Sequence, residues 1–220
     1  EAWYIFGVRT IGDESPYVLL GFKPGITRRE WRRLFETQDI PQMVDALHKI
    51  YVKPGDVYLV EGGVPHAIGP GCFLVEIQEP TDYTIRTERR TPGGLDLQDE
   101  LCHQGLGFEK MFDCFHYEGL SRQELLARYC LTPVTPPVNE GNFRQTLISP
   151  ERTSAFSMDR IVVTSKLSID VGQSFSSLIV ISGCGRLCYE SGRLDISQGD
   201  QLFVPHGVNG LVCENTGDAH

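Results

Sequence analysis

The side chains of the first half of the chain that could take part in chemistry are grouped around His66. His66 follows a Gly-Asp turn, the apolar run 57–60 and a proline, a pattern that places an imidazole at the end of a strand pair. Glu76 lies on the next predicted strand, and Asp82 and Arg86 follow with a D-x-x-x-R spacing. A histidine, carboxylates and an arginine that converge on a small barrel can form a metal site for a phosphorylated sugar. Spacing alone leaves this open against a buried histidine that bonds only to the backbone.

Short strands must position these side chains, since apolar and β-branched runs alternate with glycine and proline turns along the chain. The predicted strands are 3–8, 17–22, 57–60, 72–77, 161–167, 178–182, 185–189 and 201–204. Three helices are predicted between them. Thr27 and Glu30 have the spacing of a capping box, a second helix spans 40–48 with Pro41 in its first turn, and a third spans 121–129.

An internal repeat links the two halves of the chain. The segment 54–60 resembles 198–204, and a Pro-His pair follows both, directly in the second copy and after four further residues in the first. Two copies of one β-barrel motif explain this pattern best. We therefore predict an all-β protein with two barrels: a first domain over 1–132 with a helical insertion at about 27–48, and a second domain over 133–220. Pro133, Pro136 and Pro137 mark the predicted linker.

Composition excludes some classes of protein. The 220 residues carry a formal net charge of −9, which argues against nucleic-acid binding because that depends on cationic contacts to phosphates. Seven cysteines, an odd number without a C-x-x-C pair, favour reduced thiols and a cytoplasmic protein. No apolar run approaches the roughly 18 residues that span a bilayer, so no membrane association is expected.

Four segments resemble the type I mannose-6-phosphate isomerases, a family of the cupin superfamily. Glu1–Tyr4 is similar to the end of that family's K-T-E-x-W-Y segment, and 55–68 resembles its G-D-x-x-x-x-P-x-G-x-x-H-A-x segment. Residues 74–78 and 81–86 resemble its L-x-E-I-Q-x-x-S-D-x-T-Y-R stretch. The resemblance covers essentially the whole chain. It implies that the two predicted barrels, 1–132 and 133–220, are cupin-type barrels and that the first of them is the catalytic domain. Because the chain starts at the glutamate of the first motif, we expect it to be a piece of a longer protein that lacks an upstream segment. At the other end we expect one last strand to be missing.

The resemblance implies a role for each matched residue. Glu1 and His66 match two zinc ligands, while the other two ligands belong to a Q-x-H motif expected upstream. Arg86 matches the catalytic arginine beside the sugar, and Glu76 and Asp82 match acidic residues of the same pocket that could transfer a proton. One zinc ion per chain is expected.

Two positions depart from the family pattern. Glu61 stands where the strand usually ends in proline, and Ile85 stands where a tyrosine usually precedes the arginine. After Arg86 the chain continues as Thr-Glu-Arg-Arg, so the register of the following loop differs from that of the short bacterial members.

The function that the resemblance implies is zinc-dependent interconversion of mannose 6-phosphate and fructose 6-phosphate through a cis-enediol. The expected partner is a small hexose phosphate, in a monomer or weak homo-oligomer. The alternative is a cupin that binds a sugar or sugar phosphate without catalysis, and a Q-x-H motif with a lysine upstream of Glu1 would favour the enzyme.

Other residues receive structural interpretations. Trp3 and Trp31 are predicted to be core residues, and His206 is predicted to cap a loop rather than bind metal. The arginines between 28 and 33 are expected on a solvated helix face, although one of them or Lys23 could approach the substrate phosphate.

Overall fold

The structure is a computed structural model that describes residues 1–81, 83–134, 141–172 and 174–217. Its strands are β1 (Ala2–Val8), β2 (Tyr17–Phe22), β3 (Leu47–Tyr51), β4 (Val57–Leu59), β5 (His66–Ile68), β6 (Cys72–Ile77), β7 (Cys130–Leu131), β8 (Phe143–Ile148), β9 (Met158–Val162), β10 (Lys166–Ser168), β11 (Ser176–Ile179), β12 (Cys184–Tyr189), β13 (Gly192–Ser197), β14 (Gln201–Val204) and β15 (Val212–Asn215). Its helices are α1 (Arg28–Thr37), α2 (Ile40–Asp45), α3 (Asp99–His103), α4 (Phe108–Met111) and α5 (Arg122–Tyr129), with a 3-10 turn at Phe112–Cys114.

The prediction of a mainly β protein with a small helical insertion is confirmed, with 36% of residues in strands and 17% in helices. The division into two barrels stays a prediction.

The chain separates into two compact units. The first comprises Glu1–Thr132 and Leu147–Ser157, and the second comprises Pro133–Thr146 and Met158–His220. The assignment of 1–132 and 133–220 to two cupin domains stays a prediction, and Pro136 and Pro137 of the predicted linker lie outside the described residues. Within the described ranges, no helix is both long and apolar enough to cross a membrane.

Two antiparallel sheets form the first unit. One has the strand order β6-β1-β4-β7 and the other the order β3-β2-β5. Four consecutive residues of β1, Ala2 to Ile5, are buried, so both faces of this strand are covered. Trp3 and Ile5 pack in one core cluster with residues of β2 and β4, which fixes the start of β1 beside the end of β4.

The helical insertion buries one face of α1 against the second sheet. Trp31, Leu34 and Phe35 recur at helical spacing and are 1–2% exposed in a second core cluster. The Thr27 side chain caps the helix by accepting the Glu30 backbone N–H at 3.2 Å. The second hydrogen bond of the predicted capping box, from the Thr27 backbone N–H to the Glu30 carboxylate, is wrong. The Glu30 carboxylate pairs with Arg33 at 2.7 Å instead.

Two other helix predictions differ in outcome. The helix predicted for 40–48 ends at Asp45, because Leu47 and His48 enter β3 and pair with β2. The helix predicted for 121–129 is confirmed as α5, which has a complete capping box between Ser121 and Glu124. The helices between 99 and 114 were not predicted.

The described residues of the second unit form β-strands and no helix. Its sheets are β10-β15-β12-β13 and the pair β11-β14, and the predicted strand 161–167 is divided between β9 and β10. A small core cluster contains Leu187, Val204 and Leu211.

Candidate metal centre

Glu1 and His66 face each other in the first unit. Glu1 precedes β1, and its backbone carbonyl accepts the Val60 N–H at 2.8 Å, which places it beside the end of β4. His66 is the first residue of β5, which pairs with β2. The His66 Nε2 and Glu1 Oε1 atoms lie 3.0 Å apart, with 36% of the His66 side chain and 18% of the Glu1 side chain exposed. The structure therefore brings together the two predicted metal ligands.

A glycine turn carries the chain from β4 to His66. Gly63 adopts φ +82, in the left-handed region, and its carbonyl accepts the His116 N–H at 2.8 Å. A Cβ atom on Gly63 would lie 2.8 Å from the His116 imidazole and 3.0 Å from the Cys114 carbonyl oxygen. Only glycine fits this conformation and this space, so the turn positions the histidine.

The tautomer of His66 follows from its second hydrogen bond. His66 Nδ1 lies 2.8 Å from the Val64 carbonyl oxygen. A carbonyl can only accept, so Nδ1 carries a proton and donates it. In the neutral ring this leaves the Nε2 lone pair directed at Glu1. Metal-binding histidines are commonly held in this way, by a backbone carbonyl on the nitrogen that does not bind the metal.

The two groups shift each other's protonation. Burial alone would raise the pKa of Glu1, but the hydrogen bond and charge of His66 lower it below its ordinary value. Burial alone would lower the pKa of His66, but the hydrogen bond and charge of Glu1, the Val64 carbonyl and the charge of Glu76 raise it. Both shifts favour a carboxylate beside an imidazolium when no metal is bound.

The donor set fits part of a zinc site. Glu1 Oε1 is buried, and His66 Nε2 gives it a donor only while the ring is protonated, since the neutral ring with its proton on Nδ1 offers none. Two lone pairs 3.0 Å apart require a shared proton or a cation, and donors of a tetrahedral zinc site lie about 3.4 Å apart, given bonds of about 2.0–2.2 Å. Within the described ranges no third His, Cys, Asp or Glu completes a cluster. The spacing of Glu1 and His66 is compatible with two ligands of such a site, and their role as zinc ligands stays a prediction.

Glu76 lies one layer behind this pair. Trp3 pairs with Glu76 across β1 and β6, and the Trp3 indole N–H donates to Glu76 Oε2 at 3.1 Å. The Trp3 ring in turn packs edge-on against His66, with centroids 5.5 Å apart. The prediction that Trp3 is a core residue is confirmed, and its contact with Glu76 was not predicted. The strand register, which opposes residue 3 to residue 76, is the information that would have predicted it.

Arg86 does not lie beside Glu1 and His66. Its guanidinium donates to the backbone carbonyls of Thr84 at 3.3 Å and Leu101 at 3.1 Å, and it is exposed. Asp82 lies outside the described residues. The catalytic roles predicted for Arg86, Asp82 and Glu76 therefore stay predictions.

A cleft of about 580 Å³ opens next to the metal ligands. Glu1, His66 and the turn 61–65 line one side, and apolar side chains that include Trp31, Met43 and others of the insertion line another. The cleft is large enough for a hexose, and the pair Glu1–His66 is accessible from it. That Trp31 contributes to its wall was not predicted, although its burial was.

The chain resembles known proteins in sequence and in fold. Residues 146–218 match the sequence profile "Mannose-6-phosphate isomerase, cupin domain". The chain is 23% identical over 217 residues to the mannose-6-phosphate isomerase ManA of Bacillus subtilis, an alignment that covers 97% of this chain and 61% of that protein. The family predicted from the sequence is confirmed. The chain resembles the mannose-6-phosphate isomerases over most of its length.

Solved structures of the family have the same fold. A mannose 6-phosphate isomerase from Bacillus subtilis superposes with a TM-score of 0.73 at 21% identity, over 98% of this chain and 62% of that one. A mannose 6-phosphate isomerase from Salmonella typhimurium, bound to fructose 6-phosphate and zinc, superposes with a TM-score of 0.58 at 12% identity, over 99% of this chain and 64% of that one. The chain spans about three fifths of the length of these relatives.

Proposed function

We propose that the protein is a zinc-dependent isomerase that interconverts mannose 6-phosphate and fructose 6-phosphate. The observation that supports this best is the pair Glu1–His66, whose Oε1 and Nε2 atoms lie 3.0 Å apart at a hexose-sized cleft in a chain that resembles this family. The Salmonella relative, which binds fructose 6-phosphate and zinc, supports the same substrate and metal.

The reaction moves a proton between C1 and C2 of the sugar through a cis-enediol. Bound zinc supplies Lewis-acid polarisation of the sugar oxygens. Glu1 and His66 hold the metal, and the Val64 carbonyl keeps the His66 ring in the tautomer that binds it. Trp3 supports the ring from one side and holds Glu76 behind it.

The remaining roles are proposed from the family resemblance. Arg86 would provide a fixed positive charge and paired donors for sugar oxygens. Glu76 and Asp82 are proposed as carboxylates that take part in proton transfer. Both of the hydrogen bonds that the Arg86 guanidinium makes to described residues leave from Nη1, so Nη2 and Nε retain N–H donors for sugar oxygens.

A coupled assay tests the proposal. The protein, expressed from its complete natural sequence, is stripped of metal with a chelator and assayed for conversion of mannose 6-phosphate before and after zinc is restored. We expect activity only with metal, and loss of that activity in His66→Ala. Tight binding of the sugar phosphate without turnover, in zinc-loaded protein, would instead favour the non-catalytic sugar-binding cupin.

A further inference from the structure

Two glutamines of the first unit bind the same stretch of the cleft wall, residues 84–89, which we call the wall segment. Gln38 and Gln104 are the non-glycine residues with a left-handed backbone among those described, at φ +49 and +50. They lie at the C-terminal ends of α1 and α3, where glycine is usual because a Cβ atom strains this conformation. Strained backbone of this kind is concentrated at functional sites.

Gln38 binds the C-terminal end of the wall segment. Its Nε2 donates to the Phe35 carbonyl, three residues earlier in α1, at 2.7 Å and to the Thr87 carbonyl at 3.3 Å. Its Oε1 accepts the Arg89 backbone N–H at 2.7 Å. The amide therefore bonds to the backbone on both sides of Glu88, and these partners fix which way it faces.

Gln104 binds the N-terminal end of the wall segment in the same way. Its Nε2 donates to the Leu101 carbonyl, again three residues earlier, at 3.3 Å and to the Thr84 carbonyl at 3.2 Å. Beside it, the Arg86 backbone N–H donates to the Cys102 carbonyl at 3.0 Å. The wall segment is thus bonded through its backbone to the ends of two different helices.

The Arg89 side chain adds a third contact at the C-terminal end. Its guanidinium lies over the rings of Phe35 in α1 and Phe108 in α4, with Cζ 5.0 and 4.7 Å from the ring centroids. The faces of aromatic rings attract a cation in this position. Phe35 is only 1% exposed, so the wall segment is attached to the core of the first unit.

The position of the wall segment depends on these contacts. Residues 84–89, all of them described, form neither helix nor strand, so no ladder of their own aligns their backbone. Four of them line the cleft: Thr84, Ile85, Thr87 and Glu88. The glutamines therefore order a wall that would otherwise be an irregular loop. A loop that is already ordered avoids the entropy cost of ordering when a ligand binds.

We propose that Gln38 and Gln104 are positioning residues, which keep the wall segment in the conformation that binds the sugar phosphate. The inference rests on the proposed function, because it takes the hexose phosphate as the ligand of the cleft. It explains why two strained glutamines stand where glycine is usual, since glycine would relieve the backbone but lose the amide. The effect falls on binding rather than on the chemical step.

Paired glycine and alanine variants separate the amide from the backbone. Gln38→Gly and Gln38→Ala both delete the amide, but only glycine relieves the left-handed conformation. In the zinc-loaded protein, made from its complete natural sequence, we expect both variants to raise KM for mannose 6-phosphate equally, by about 10-fold, with kcat within about 2-fold of wild type. The urea midpoint should nevertheless be higher for Gln38→Gly than for Gln38→Ala.

A second pair and a control complete the comparison. Gln104→Gly and Gln104→Ala test the other end of the wall segment, and they decide the question if the Gln38 variants do not fold. Gln123→Ala is the control, because Gln123 is exposed on α5, its side chain makes no hydrogen bond to another described residue, and it does not line the cleft. Its KM should stay within about 2-fold of wild type.

Backbone hydrogen exchange measures the order of the wall segment independently of activity. The Arg89 N–H donates to Gln38, so its exchange should be at least about 10-fold faster in both Gln38 variants. The Ile5 N–H, which donates to the Asp56 carbonyl in the same unit, should exchange as in wild type.

Two results would overturn the inference and leave the proposed function intact. One is an unchanged KM in both pairs of variants, whether or not Arg89 exchanges faster. The other is a KM that recovers in the glycine variants together with the urea midpoint, which would make the glutamines structural only. If wild type binds mannose 6-phosphate without converting it, the proposed function is wrong, and the dissociation constant replaces KM in the same comparison. If it neither binds nor converts the sugar, both are wrong.

Discussion

The two Gly-Asp turns of the internal repeat have the same geometry and different consequences. Gly55 and Gly199 adopt φ +95 and +93. Asp56 accepts the Lys53 N–H at 2.9 Å, and Asp200 accepts the Ser197 N–H at 2.7 Å. The repeat noticed in the sequence is therefore a repeat of structure.

The strand pairs that follow the turns also correspond. The Ile5 N–H donates to the Asp56 carbonyl at 3.0 Å, as the Val180 N–H does to Asp200 at 2.9 Å. The same registers place Glu1 opposite Val60 in the first copy and Ser176 opposite Val204 in the second. Glu1 and Ser176 thus occupy equivalent positions.

Beyond these positions the copies diverge. The first copy inserts four residues with two glycines and places His66 at the start of β5, 3.0 Å from Glu1. In the second copy His206 follows β14 after one residue, is exposed, and makes no hydrogen bond or ion pair to another described residue. The shared turn determines where a strand starts, whereas a metal site also needs the inserted glycine turn and an acidic residue on the neighbouring strand.

The largest difference between the copies should appear on removal of the carboxylate. Glu1→Ala in the complete protein removes a proposed zinc ligand, so we expect isomerase activity to fall by at least about 100-fold, the upper end of what loss of a residue that merely supports a ligand costs. Ser176→Ala changes the equivalent position of the second copy and should leave activity within a factor of about two of wild type. Equal losses of isomerase activity in both variants would show that the two copies do not differ at this position.

The inserted turn should be the next most sensitive feature. Gly63→Ala forces a left-handed alanine against His116 and Cys114, which we expect to lower the free energy of unfolding by about 1–3 kcal/mol and to weaken zinc binding. Gly62→Ala is the control, because no atom lies within 4 Å of its added Cβ. Urea unfolding and zinc titration measure both variants, and indistinguishable behaviour would contradict this role of the turn.

The shared Asp-turn should respond equally in both copies. Asp56→Ala and Asp200→Ala each remove a charged acceptor from a backbone N–H, so each should cost about 1–2 kcal/mol of unfolding free energy in its own unit. Chemical denaturation followed by hydrogen exchange resolves the two units. A loss confined to one variant would show that the turns are alike in geometry only.

The smallest effect concerns the pH dependence of the metal-free protein. Because the pKa of His66 is raised, its stabilising contribution is complete below the unfolded value of about 6.5 and is lost as pH rises through the folded value. The pKa of Glu1 is lowered, so its contribution is present above about 4.3 and is lost as pH falls through the folded value. Because both side chains are partly exposed, the pair should contribute less than about 1 kcal/mol to the free energy of unfolding.

Imidazole carbon–proton NMR of the metal-free protein measures this titration. The His66 midpoint should lie above the ordinary histidine value and move down in Glu1→Gln. A midpoint that does not respond to Glu1→Gln would show that the two side chains are not coupled in solution.

Much of the first unit could be predicted from sequence because its signals are local. The apolar runs that became β1, β2 and β6 and the Thr27 cap of α1 are read from neighbouring residues. The α2 boundary was wrong because pairing of Leu47 and His48 with β2, a distant strand, overrides their helical spacing.

The site was predicted unevenly for the same reason. Glu1 and His66 were identified by family motifs, whereas the Trp3 link to Glu76 depends on strand register and the bonds from Gln38 and Gln104 to the wall segment depend on packing. Neither strand register nor side-chain packing can be predicted from the spacing of residues in the sequence. The roles of Arg86 and Asp82 stay predictions.

Metal analysis of one matched pair of variants tests the central claim most directly. The complete protein, His66→Ala and His206→Ala are loaded with zinc, dialysed, and analysed by elemental mass spectrometry. We expect about one zinc per chain in wild type and His206→Ala, and little zinc in His66→Ala. Full zinc content in His66→Ala, or an equal loss in His206→Ala, would contradict a metal centre built on the first copy of the repeat.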